Sequence, residues 1–292
     1  MESFAMANLP KSKYKTITTI FFLLILFPAH LDAASSDIFG PSTAVTSRYW
    51  DCCKPSCSWT IKADFNLNHA VTPCDAHSNP LSDYAQASGC QGGTSFACPN
   101  NYPWAVNDTF SYGFVGAFLQ GGDESTWCCG CYQLNFTSGP VKGKSMIVQA
   151  SNTDYNIPDN NVFTFGIPGG NTSYAGACAI QYGVPNATFG AENVGVSTRS
   201  DCANLPAALK PGCYWRFDWL KDAEGPTVDY KRAQCPAALT NISGCTRADD
   251  NTFQKEADNQ SNPSAAALFL LPSITSSAIG VLLITWILQG LV

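Results

Sequence analysis

Histidine is scarce: the 292 residues contain only His30, His69 and His77. A Ser-His-Asp triad or a histidine-rich metal centre is hard to build from that supply. Charge is also sparse at 13% of residues, with 16 Lys and Arg against 22 Asp and Glu, giving a net charge of −6. No basic run occurs beyond Lys15, so the surface that phosphate backbones require is missing and nucleic acid is excluded as a partner. The glycine-rich stretches at 89–93 and 167–170 fit neither the strand–GxGxxG–helix pattern nor a P-loop, which argues against nucleotide binding. No internal repeat is visible.

Cysteine is abundant. All 14 lie between Cys52 and Cys245. The even count predicts disulfides, and the adjacent pairs Cys52-Cys53 and Cys128-Cys129 suit divergent cross-links better than one tetrahedral metal site. Spacing alone does not give the connectivity. The ends agree with an oxidising compartment. Lys11, Lys13 and Lys15 precede an apolar run from Ile17 to Phe27, and Ala33-Ala34 follow, which is the order of a secretory signal over residues 1–33. At the other end, residues 265–292 carry no charge, a polar linker spans 254–264, and no basic residue follows the run 279–288. That pattern predicts a GPI signal ahead of a plain transmembrane helix, and so attachment to a membrane. Sequons at Asn107, Asn135, Asn171, Asn186, Asn241 and Asn259 fit a glycosylated, secreted protein.

Between the ends lies one domain, residues 42–253. Tyr132, Leu134 and Phe136 alternate with polar neighbours, which predicts a half-buried strand, with Met146-Ile147-Val148 as its hairpin partner. Cys213, Trp215, Phe217 and Trp219 alternate in the same way, with Arg216 and Asp218 placed to pair on one strand face. A further strand is predicted from Thr227 to Cys235, and a capped helix from Ser197 or Thr198 to just before Pro206. The sum is a mainly β domain, a closed barrel with long loops and a few short helices. With 7 Trp and 11 Tyr, such a surface suits the flat faces of a neutral polymer's sugar rings.

The most distinctive segment runs from Thr46 to Trp59, with Asp51 set between Tyr49-Trp50 and Cys52-Cys53. A carboxylate held beside aromatic rings by cross-linked backbone is what a general base for sugar hydrolysis requires. The same residue types also allow a structural Asp paired with Arg48 or Lys54, and they leave both readings open.

The segment resembles the signature of glycoside hydrolase family 45, the compact inverting endoglucanases. The resemblance continues through 103–108, Trp127-Cys128-Cys129-Gly130-Cys131-Tyr132, 136–141, Ile167-Pro168-Gly169-Gly170 and 210–219. It implies a six-stranded double-psi β-barrel with a long groove, endo-cleavage of β-1,4-glucan, and no metal or organic cofactor. It further implies Asp51 as general base, Tyr49 near the cleavage point and Trp59 as a stacking platform for a glucose unit. A chain of this kind is expected to act as a monomer.

One departure stands out. An inverting glycosidase uses a second carboxyl, roughly 6.5–9.5 Å from the base, to protonate the leaving oxygen. The family places that acid in a Phe-Asp pair just before Ile-Pro-Gly-Gly, where this chain has Phe163-Thr164. A second family Asp corresponds to Asn156, and a family His to Val162. Asp154 and Asp159 in the same loop are the replacements on offer, Asp154 being the residue chosen. The alternative is a glucan-binding, expansin-like wall-remodelling protein with little or no hydrolysis, and a purely structural surface role stands behind both.

Overall fold

The computed structural model describes residues 42–154, 159–171 and 175–256. The predicted signal, the C-terminal tail, Asn156 and Asn259 all lie outside those residues.

Among the described residues, seven strands and four short α-helices follow one another as β1 (Ser42–Tyr49), β2 (Trp104–Ala105), β3 (Phe110–Phe118), α1 (Glu124–Trp127), β4 (Cys131–Phe136), β5 (Ser145–Thr153), β6 (Val162–Gly166), α2 (Ala175–Tyr182), α3 (Lys210–Asp218), β7 (Val228–Ala233) and α4 (Ala237–Ser243). Six of the strands close on themselves in the order β3-β5-β4-β7-β1-β6, with β6 returning to β3, while β2 lies outside along β3. The pairs β1–β6 and β3–β5 are parallel and the other contacts of the ring antiparallel. This is the six-stranded double-psi barrel with disulfide-linked loops that the sequence led us to expect.

The alternation in β4 holds: Tyr132, Leu134 and Phe136 are buried while Asn135 is exposed. Leu134 faces Met146 in the antiparallel β4–β5 pair, so the predicted hairpin is present. The strand predicted near 227–235 is β7. Tyr132, Phe163 and Tyr230 pack inside the barrel with ring centroids 5.0–6.1 Å apart. Closure leaves no long open edge, which removes the usual template for edge-to-edge aggregation.

The stretch 213–219 is a correction. It forms α3, not a strand. Pro211 sits in the first turn, where its missing N–H costs nothing. Trp215 and Trp219, one helical turn apart, stack at 5.2 Å. The expected Arg216–Asp218 pair is accordingly absent: Arg216 bonds Asp222 at 2.7 Å, and Asp218 is held by Arg199 at 2.6 and 2.8 Å. The predicted capped helix is a 3-10 helix, Arg199–Asn204, whose Asp201 accepts from the Thr198 N–H at 2.8 Å.

All fourteen cysteines are paired: 52–178, 53–90, 57–128, 74–98, 129–245, 131–235 and 202–213. Both adjacent pairs diverge, as their sequence suggested. Cys52 and Cys129 each adopt left-handed backbone with φ of 59°, which turns neighbouring side chains toward different partners. A non-glycine residue in that region costs on the order of 1–2 kcal/mol, and the cross-links hold it there.

Candidate active site

Three strands of the barrel supply the candidate residues, and the β1 and β5 contributions are joined by the bond from Asn152 to Tyr49. β1 delivers Tyr49-Trp50-Asp51, β5 delivers Asn152-Thr153-Asp154, and β6 carries Thr164. The Ile167-Pro168-Gly169-Gly170 string turns against the back of Asp51: the Ile167 N–H donates to the Tyr49 carbonyl and the Trp50 N–H to the Asn171 carbonyl, both at 2.9 Å. Gly170 is required by this approach, because a Cβ there would stand 2.8 Å from the Ile167 oxygen and 3.2 Å from the Tyr49 carbonyl carbon.

Asp51 pairs with neither Arg48 nor Lys54, so the structural reading of that residue loses its partners. Arg48 bonds Glu224 at 2.7 Å. Lys54 donates to the carbonyls of Tyr84 and Gln86. The Asp51 carboxylate instead accepts the Cys53 N–H at 3.0 Å, and burial raises its pKa above the usual aspartate value despite that bond. The residues that follow it, Cys52 and Cys53, are each cross-linked, to Cys178 and Cys90. The carboxylate is therefore held on backbone fixed from two sides.

Tyr49 has its hydroxyl 3.1 Å from the Asn152 amide nitrogen, which donates to it. The same amide's oxygen accepts the Ser56 N–H at 2.8 Å, which fixes its orientation. The phenol is pushed well above its ordinary pKa, first by burial and then by the Asp51 carboxylate; the Asn152 bond opposes this, and the Asp154 carboxylate adds to it. Tyr49 thus lies within electrostatic reach of both carboxylates.

Asp154 is buried, and it meets the residue that stands in the family's acid position: the Thr164 hydroxyl donates to its Oδ2. The two come from different strands, β3 lying between β5 and β6. On β3, Gly116 is paired with Thr164 on one side and Asn152 on the other. A Cβ at Gly116 would stand 3.7 Å from that of Asp154. That is ordinary van der Waals contact, so the two side chains meet beside β3. Asp159, the other replacement considered, is exposed at the turn before β6, and Asp108 is exposed beside its sequon.

Trp59 is half-buried just after the 3-10 turn Ser56–Ser58, which Cys57 ties to Cys128. The Lys54 ammonium sits 3.2 Å from its ring centroid. One face of the indole is thereby propped by a cation that is itself anchored to two carbonyls. Burial lowers the pKa of that ammonium to about 8, with Asp83 acting against the shift. Sequence reasoning missed Asn152 and Lys54 as parts of this site. Their roles depend on contacts across strands and loops that carry no local signature. The sequon residues Asn107, Asn135, Asn171, Asn186 and Asn241 are all exposed.

The fold is similar to that of a solved cellulase of the Antarctic springtail Cryptopygus antarcticus. That structure superposes with a TM-score of 0.67 at 40% identity, covering 71% of this chain and 98% of the other. The sequence profile described as glycosyl hydrolase family 45 matches residues 43–246, and the chain belongs to that family. It is 47% identical over 232 residues to a putative endoglucanase type K of Fusarium oxysporum, a match that takes in 79% of this chain and 59% of the relative. It is 40% identical over 205 residues to an endoglucanase of Cryptopygus antarcticus, with 70% and 89% covered. The chain thus spans somewhat under two thirds of the Fusarium protein's length.

Proposed function

We propose that the protein is an endo-acting β-1,4-glucan hydrolase of the inverting kind, with Asp51 as general base, Asp154 as general acid, and Tyr49 and Trp59 against the sugar chain. Family membership and the names of its relatives support the reaction class. The observation that supports the mechanism is the bond from Thr164 to Asp154, which sets a carboxyl beside the residue that stands in the family's acid position.

The reaction balances with these groups. A water oxygen attacks the anomeric carbon and gives its proton to the Asp51 carboxylate. The glycosidic bond breaks, and the leaving oxygen takes the proton carried by Asp154. Return of the proton from Asp51 to Asp154 through solvent restores the enzyme. Burial of Asp51 makes its carboxylate a stronger base than a solvated aspartate, which favours proton abstraction. The Trp59 ring supplies a flat apolar face for a pyranose.

Two measurements on a soluble β-1,4-glucan test the proposal. Endo-cleavage predicts that viscosity falls early, while few reducing ends have formed, and inversion predicts that the first product detected by NMR is the α-anomer. A β-anomer would refute the single-displacement assignment. Folded protein that retains glucan without shortening it would favour the expansin-like reading. The apolar run 279–288 supports the further proposal that the enzyme is held at the cell surface by a GPI anchor; a GPI-cleaving phospholipase should release it, and retention on the cells would refute that placement.

A further inference from the structure

Beside Asp51 the barrel rim folds into a recess lined by Trp50, Asp51 and Asn101 among others, with about 10 Å3 available to the centre of a water molecule. A space of that size holds about one water. Asn101 is 5% exposed, and among the described residues neither its amide nitrogen nor its amide oxygen has a hydrogen-bond partner. The indole N–H of Trp50, 4% exposed, is likewise without one. The Asn101 backbone is fixed: its N–H donates to the Cys98 carbonyl at 3.2 Å, and its own carbonyl oxygen packs so closely on Gly166 that a Cβ there would lie 3.2 Å away.

An unpartnered buried amide costs on the order of 1–3 kcal/mol for each group left unsatisfied. Such groups in native proteins call for a specific explanation, and a functional water is one of them. Here Asn101, whose side chain offers both a donor and an acceptor, lines the same one-water recess as Asp51. A water between them can give one proton to Asp51 and bond the amide with its remaining donor or a lone pair. Its orientation is then defined by two protein groups instead of one.

We infer that Asn101 is the second ligand of the attacking water, holding it against Asp51. The inference rests on Asp51 acting as the base. In the chemical step Asn101 gains and loses nothing: the water proton passes to Asp51, the water oxygen bonds to the anomeric carbon, and the amide releases the oxygen as it moves. Its contribution is orientation, and misplacement of a reacting group by about 1 Å can cost on the order of 100-fold in rate.

The test is Asn101→Leu, close in volume and apolar. With the water unheld, kcat on soluble β-1,4-glucan falls about 10- to 100-fold while KM stays within about twofold, the pattern of an interaction made for the transition state alone. Thermal stability is little changed, because an amide bonded to one water has been exchanged for an apolar side chain of similar volume. A folded variant with wild-type kcat overturns the assignment. Independently of whether the variant folds, a high-resolution crystal structure of the wild-type enzyme should show an ordered water within hydrogen-bond distance of both the Asp51 carboxylate and the Asn101 amide. A dry recess, or a water bonded to neither, refutes it. Asp51→Ala separates the two levels of failure: retained hydrolysis in that variant sinks the base assignment itself, whereas an inactive Asp51→Ala beside a fully active Asn101→Leu removes only Asn101.

Discussion

Replacing Asp154 by asparagine removes a transferable proton while keeping the shape of the side chain. The two side chains have the same shape, and the amide oxygen can still accept the Thr164 hydroxyl, so that bond survives the change. The fold should therefore hold, and the effect should fall on the chemistry. Loss of a general acid typically costs 10²–10⁴-fold in rate, or about 3–5 kcal/mol of barrier. The loss should depend on the leaving group. A cellulose chain end departs as an alkoxide unless it is protonated, whereas a dinitrophenolate leaves without help. Reducing-end release from a soluble glucan by Asp154→Asn should fall by the full factor, while hydrolysis of a dinitrophenyl cello-oligoside should stay within about 10-fold of the wild type. Equal losses on both substrates would mean that Asp154 supports the groove and donates no proton. Unchanged rates on both would remove it from the mechanism.

Three further outcomes follow from the geometry. Burial raises the Asp51 pKa, so the folded state disfavours the ionised form; the stability associated with this group is present at low pH and is lost as pH rises through its folded pKa. Asp51→Asn should therefore melt higher than the wild type at neutral pH, with the gain vanishing below about pH 3.9, where a solvated aspartate is also protonated; a gain that persists there would contradict burial as the cause. Trp59→Ala should raise KM for long glucans about 10-fold, about 1.4 kcal/mol, with kcat little changed, and in the wild type KM should begin to rise above about pH 8 as Lys54 loses the charge that props the ring; a pH-independent KM would sever that link. Changing Cys53 and Cys90 together to serine opens a loop of 37 residues and should cost about 2–4 kcal/mol in denaturant unfolding, with a fall in kcat as the backbone after Asp51 loosens.

The parts of the fold legible in the sequence were those where one face of a strand meets water. β4 shows its alternation openly, and β7 follows a clear turn. β3 gave no such signal: eight of its nine residues are buried, so no polar face marks its period. In α3 Cys213 and the aromatics at 215, 217 and 219 satisfied a period of two by coincidence, since the helix is enclosed on several sides; the sequence Lys210-Pro211-Gly212 was the better guide to a helix start. The presence of disulfides followed from cysteine count and compartment, but their pairing depends on which loops the barrel brings together. At the site, Asp51 stood out because its neighbours are distinctive. Asp154 was found by asking which carboxylate could replace a missing one. That Thr164 on β6 reaches it, with β3 lying between the two strands, is a property of strand order that no linear pattern encodes. Asn101 had no signal at all, since what distinguishes it is the bonding its burial denies it.

The most direct test of the whole account is reducing-end release from a soluble β-1,4-glucan by the purified wild-type protein beside its Asp51→Ala variant, with folding of both verified by their thermal transitions. The account predicts steady release by the wild type and a loss of at least about 100-fold in the variant, with glucan retention preserved in both. Equal release by the two proteins, or none from either while both are folded, would contradict it.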